Sequence, residues 1–240
     1  MEIFGALLDL DDTLHDDTLS VERAARDVTL QLAPRLGVDG EKLIAAFIEA
    51  LESFWQQHDP AALTEGFDIR TEMWDRALDS FGVRDREIAH WAATKFDAYR
   101  KTHYRLLPGV FDALADLRSA GLKLGLLSNG LRSTHIEKIN ILNIAQYFDR
   151  IFLSDDIGLA KPEPAIFMHA CRELSISPEC VAMVGDRYDK DIAGAIKAGM
   201  PTVWVNPHGR PLPGGCAAPT FTVDSIRQLP GLLRRLPHRL

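Results

Sequence analysis

Four short stretches hold the side chains most able to do chemistry. They are Asp9, Asp11, Asp12 and Thr13 in LDLDDTL, Ser128 and Asn129 in LLSNG, Lys161 in GLAKPEP, and Asp186, Asp189 and Asp191 in VGDRYDKD. Carboxylates from the first and last stretches cannot crowd together unless a counter-ion offsets them. A hard divalent cation that takes oxygen ligands and keeps some water, Mg²⁺ for instance, would do so. The Lys161 ammonium would neutralise a further charge. Ser128 and the loop amides after it are neutral donors of the kind that hold phosphate oxygens. The sum reads as a site for a phosphoryl group, with a metal bridging it to a carboxylate nucleophile. Each stretch alone has a plainer reading. A DD pair makes a turn or a helix cap, Ser-Asn-Gly a turn, Lys-Pro a surface pair, and Asp191 an N-cap. Four such stretches in one arrangement carry the argument.

That arrangement comes from the elements behind them. Apolar runs at Ile3–Leu8, Leu122–Ser128, Arg150–Ser154, Val181–Val184, Thr202–Val205 and Thr220–Val223 alternate with helical patterns at Val110–Ala120, 132–142, Ala165–Leu174, Asp191–Ala198 and 224–236. Apolar strands alternating with helices predict an α/β fold, a parallel sheet covered on both faces. In such sheets ligands sit outside the carboxyl ends of the strands. The four stretches follow four strand ends. Residues from about 18 to 104 read differently, as four amphipathic helices near 19–35, 40–57, 68–81 and 85–102. Leu43, Ala46, Phe47, Ala50, Leu51 and Phe54 recur at helical spacing in the second. Ser20, Asp39 and Asp85 mark helix starts. Short connections predict an antiparallel bundle, inserted between the first strand and the rest.

DLDDTL, LLSNG, Lys161 in GLAKPEPAIF and GDRYDKDIAGAIKAGM resemble, in order, the four motifs of the haloacid dehalogenase superfamily, phosphatase type. The likeness spans essentially the whole chain. It implies a Rossmann-like doubly wound core formed by residues 1–16 and 105–240, and an all-helical cap at 17–104. It also implies roles. Asp9 would attack phosphorus, and Asp11 would act as general acid and then base. Asp9, Asp186 and the Asp11 carbonyl would hold Mg²⁺. Ser128 and the Asn129 amide would bind phosphate oxygens, and Lys161 would neutralise nucleophile and phosphate. Asp191 would stand behind Lys161 or a metal-bound water. Thr13, counted with the substrate-binding residues, would tie down the loop, and Asp12 would shape it. The dehalogenases that name the superfamily lack the second acidic residue, so Asp11 speaks for phosphoryl transfer. The expectation is a Mg²⁺-dependent phosphatase acting on a small phosphorylated metabolite. The alternatives are a phosphomutase, a metal-free 2-haloacid dehalogenase and a non-catalytic phosphate-binding module.

His15, Arg70, Trp74 and His58 are candidates to face the substrate, with Arg132 just after the second motif. The plainer readings are that Trp74 packs in the cap core with Ala77, Leu78 and Phe81, and that Arg70 is a solvated helix-start residue. Closure about linkers at 14–18 and 103–108 would exclude water. The chain has 240 residues, 46% hydrophobic and 25% charged, enough for a sizeable core. A net charge of −7 argues against a nucleic-acid polymer as partner. No apolar run approaches a membrane span. No leader pattern precedes Asp9, and Cys171, Cys180 and Cys216 form no metal or disulfide pattern. These features predict a cytoplasmic enzyme with three reduced, mostly buried thiols. Its oligomeric state stays open between monomer and homodimer.

Overall fold

The computed structural model describes residues 2–57 and 68–234. His58 lies outside the described residues. The chain divides into two compact units, residues 1–16 with 106–240, and residues 17–105.

In the first unit the described residues form a six-stranded parallel sheet. The strands are β1 (Gly5–Leu8), β2 (Lys123–Ser128), β3 (Arg150–Leu153), β4 (Val181–Gly185), β5 (Thr202–Val205) and β6 (Phe221–Val223), in spatial order 3-2-1-4-5-6. β1 is wholly buried, and Leu8 pairs with Leu126 on one side and Val184 on the other. The chain winds outward from β1 in both directions. The carboxyl end of β1 is therefore the switch point, where such sheets bind ligands. Helices cover the faces because every central strand is apolar on both sides. The helix Pro164–Leu174 buries Ile166, Phe167, Ala170 and Leu174 against Leu7, Leu127, Phe152 and Met183. Tyr188 and Ile192 pack against Trp204 in a second cluster.

The second unit holds α1 (Asp17–Leu36), α2 (Gly40–Gln57), α3 (Ile69–Asp79) and α4 (Arg86–Thr102). The Asp85 carboxylate accepts from Glu87 N and Ile88 N and so caps α4; Asp39 accepts from Lys42 N at the start of α2. α1 begins at Asp17, three residues before Ser20, whose hydroxyl donates back to the Asp17 carbonyl. Phe47 and Trp74 stack with ring centroids 4.1 Å apart, and Phe96 lies 4.9 Å from Phe47. Trp74 is fully buried in that aromatic core, which removes it from the substrate-facing candidates. Arg70 is not a solvated helix-start residue. Its guanidinium is largely covered and pairs with Asp97, because α3 turns it inward toward α4. Arg100 of α4 is also buried and grips both Asp17 oxygens, at 2.7 and 2.9 Å.

The remaining helices are α5 (Val110–Ser119), α6 (Arg132–Ile141), α7 (Ser154–Ile157), α8 (Pro164–Leu174), α9 (Ala193–Lys197) and α10 (Leu229–Arg234). Three local expectations change. Ser154 leaves β3 and opens α7. The helix expected from Asp191 begins as a wide π-turn, Tyr188–Ile192, before α9. Asp191 is thus no N-cap; it is held inward, as described below. The last helix begins later than 224. It opens as a 3₁₀ turn at Ile226–Gln228 and α10 runs to Arg234, the last described residue. The cysteines are unpaired, but only Cys171 is buried; Cys216 sits on an exposed loop.

Candidate active site

Strand register builds the site. Asp9 follows β1 directly, and its amide donates to the Val184 carbonyl of β4. That bond puts Asp9 beside Gly185 and Asp186. On the other flank, β2 ends in Ser128, almost fully buried. The loop after Asp9 turns sharply. Asp12 takes a left-handed backbone (φ 55°), and its amide donates to the His15 carbonyl at 2.7 Å. Thr13 is fully buried and its hydroxyl accepts from Asp186 N at 3.0 Å. Thr13 thereby joins the first acidic loop to the last; no surface of it is left for a substrate. His15 is fully buried too, its backbone bridging to Asp11 and Leu106. Its packing in the loop removes it from the substrate-facing candidates. Arg132 is exposed and pairs with Asp156 at 2.9 Å.

Lys161 is the hub. Its side chain is only 3% exposed, and Nζ lies 2.6 Å from Asp9 Oδ1 and 2.6 Å from Asp191 Oδ1. It also donates to the Leu127 carbonyl at 3.0 Å. The Asn129 side chain fixes the backbone there from both sides. Its Nδ2 donates to the Lys161 carbonyl, and its Oδ1 accepts from Lys161 N. Asp191 is held in turn by Arg187 N at 3.1 Å. Gly185 makes this possible, since a Cβ there would stand 2.2 Å from Asp191 Oδ2.

Burial alone would lower the Lys161 pKa, but the Asp191 and Asp9 carboxylates push it above its ordinary value. Burial pushes Asp9 up to about 7, against the pull of Lys161. Asp186 goes to about 8 through burial and the neighbouring charges of Asp9 and Asp191. One ammonium does not neutralise this many carboxylates. Asp186 Oδ1 is buried with no hydrogen-bond partner among the described residues. Oxygens of Asp9, Asp186 and Asp191 all lie within 4.8 Å of one another. An orphaned carboxylate oxygen inside an all-oxygen cluster fits a hard divalent cation. Asp191 has both oxygens engaged, Oδ1 by Lys161 and Oδ2 by Arg187 N, so Asp9, through Oδ2, and Asp186, through Oδ1, are the carboxylates with oxygen to offer.

Three contributors were not evident in the sequence. Trp204 Nε1 and Arg210 Nη2 both donate to the Asp186 carbonyl at 2.9 Å, from β5 and the loop after it. Lys138 of α6 grips both oxygens of Asp11, at 2.7 and 2.8 Å. The available signal for Lys138 was its spacing of three from His135, which puts both on one helix face.

The model of the haloacid dehalogenase-like hydrolases matches residues 5–199. The chain belongs to that family. Among its hydrolase relatives, the N-acylneuraminate-9-phosphatase of Mus musculus is 35% identical over 70% of this chain and 69% of its own length. The glyceraldehyde 3-phosphate phosphatase of Methanopyrus kandleri is 32% identical over 98% of each chain. A solved 2-haloacid dehalogenase from Pseudomonas syringae pv. Tomato has the same fold, with a TM-score of 0.66 and 29% identity over 98% of this chain and all of that one. This haloacid dehalogenase-like hydrolase thus resembles proteins named for two chemistries, and its own site must separate them.

Proposed function

We propose that the protein is a Mg²⁺-dependent phosphatase that hydrolyses a small phosphomonoester through an aspartyl-phosphate on Asp9. The observation that carries the reading is the pairing of Asp9 with Lys161 beside the buried, unpartnered Asp186 Oδ1. Lys161 fixes Asp9 Oδ1 and leaves Oδ2 for phosphorus. As the Asp9–phosphorus bond forms and the bond to the leaving oxygen breaks, Asp11 gives that oxygen its proton. Asp11 then takes a proton from the water that hydrolyses the acyl phosphate, and Asp9 returns as carboxylate. Lys161, Ser128 and the Asn129 amide supply positive charge and neutral donors for the phosphoryl oxygens. A cation held by Asp9, Asp186 and the Asp11 carbonyl would supply the further charge that phosphoryl oxygens need. Asp191 keeps Lys161 pointed at Asp9. The helical unit is proposed to act as a cap that selects the rest of the substrate, a soluble phosphorylated metabolite.

The test is turnover of p-nitrophenyl phosphate and a panel of phosphorylated metabolites, with Mg²⁺ and with EDTA. Activity that survives EDTA, or survives Asp9→Asn, would overturn the mechanism. The likeness to a 2-haloacid dehalogenase supports a second reading, metal-free attack of Asp9 on a carbon–halogen bond. Halide release from 2-haloacids in EDTA would establish it. A halide leaves without a proton, so a general acid at Asp11 weighs against it.

A further inference from the structure

Lys138 is one of the most deeply buried charged side chains among the described residues, 1% exposed. An ammonium taken out of water is costly unless a partner compensates it, and an apolar side chain of similar volume is often as stabilising. One partner here is the carboxylate of Asp11, with Nζ within 2.8 Å of both oxygens. His135, one turn earlier on α6, is also buried, with Nε2 3.6 Å from Asp11 Oδ2 and Nδ1 3.1 Å from the Leu131 carbonyl. Its ring lies where Gly130 has no side chain. A Cβ at Gly130 would fall 2.1 Å from His135 Cε1, and the residue sits at φ 149°. The loop that ends in Ser128-Asn129-Gly130 is thus shaped to bring one face of α6 against Asp11. Asp11 itself stays 29% exposed and accessible.

We propose that Lys138 is the positioning residue of the acid–base step, holding the Asp11 carboxyl aimed at the leaving oxygen. The inference rests on the phosphatase reading above. The chemistry is Asp11's: the phosphorus–oxygen bond breaks, and the proton on one Asp11 oxygen moves to the departing alkoxide. The other Asp11 oxygen keeps accepting from Lys138 throughout, so the carboxyl does not rotate away. Orientation of this kind matters in proportion to how badly the leaving group needs a proton. An alkyl phosphomonoester needs one. p-Nitrophenyl phosphate, whose phenolate leaves unaided, hardly does.

The experiment compares Lys138→Met with wild type on an alkyl phosphomonoester from the active panel and on p-nitrophenyl phosphate, at saturating Mg²⁺. The expected result is a kcat loss of about tenfold or more on the alkyl ester and of about threefold or less on p-nitrophenyl phosphate, with KM little changed. Lys138→Arg should restore part of the alkyl rate. In an Asp11→Asn background, Lys138→Met should cost nothing further, because it acts through Asp11. An equal loss on both esters, or a loss that multiplies with Asp11→Asn, would overturn the proposal in favour of a purely structural lysine. If Lys138→Met does not fold by circular dichroism, Lys138→Gln reads the same ratio between esters. A wild type that hydrolyses neither ester, or an active Asp9→Asn, would instead bring down the phosphatase reading, and this proposal with it.

Discussion

Asp186→Asn should make the metal-free protein more stable while removing its function. Burial and the charges of Asp9 and Asp191 raise the Asp186 pKa from 3.8 to about 8. Between those values the folded state holds a proton that the unfolded state has released, so stability from this group falls as pH rises through that window. At about 1.36 kcal/mol per tenfold change, the cost is about 4 kcal/mol at pH 7 and about 1.5 kcal/mol at pH 5. Relaxation around the charge returns part of it. The amide should therefore gain about 2 kcal/mol or more at pH 7 and clearly less at pH 5. The pair with Arg210, at 3.5 Å and 46% exposed on the arginine side, subtracts at most about 1 kcal/mol. Urea unfolding in EDTA at the two pH values measures the difference. Mg²⁺ at about a hundred times its dissociation constant should then stabilise wild type by about 2.7 kcal/mol and leave Asp186→Asn unmoved. A variant less stable than wild type in EDTA at pH 7, or a gain that does not shrink at pH 5, would refute the reasoning.

Lys161→Met leaves Asp9 and Asp191 facing each other without their ammonium. It should lose turnover and about 3–5 kcal/mol of stability in urea at pH 8, and less at pH 5, where the carboxylates can take protons. Gly185→Ala puts a methyl 2.2 Å from Asp191 Oδ2 and should push Asp191 off Lys161, lowering kcat by about tenfold or more while the sheet still forms by circular dichroism. In the metal-free protein Asp9 and Asp186 hold protons up to about pH 7 and 8, so Mg²⁺ must displace them. Its apparent affinity by calorimetry should rise from pH 6 to pH 8 and then level, with protons released on binding. Burial lifts the Cys171 thiol to about 11, so a thiol reagent should modify exposed Cys216 in the native state and Cys171 only on unfolding.

Alternation of apolar runs and helical patterns was enough to read the parallel sheet, because a strand buried on both faces leaves a continuous apolar signature. Asp9, Ser128, Lys161 and Asp186 were legible for a related reason. Asp9 and Asp186 directly follow apolar strands, Ser128 ends one, and Lys161 lies on the connection that leaves β3 through α7; strand ends in such a sheet share a rim. The bundle helices were legible from their period and from Asp39 and Asp85.

Tertiary structure decided what each side chain meets. Thr13 is bonded to Asp186 N, His15 and Trp74 are packed away, and Arg70 finds Asp97. The wide turn at Tyr188–Ile192 carries Asp191 inward to meet Lys161, thirty residues upstream. Asp11 and Lys138 are separated by 127 positions, and the spacing of His135 and Lys138 on α6 does not name Asp11 as what they meet. Periodicity reports which face of an element is apolar. It cannot report which buried charge will find its counter-charge, because that depends on the packing of elements distant in the chain.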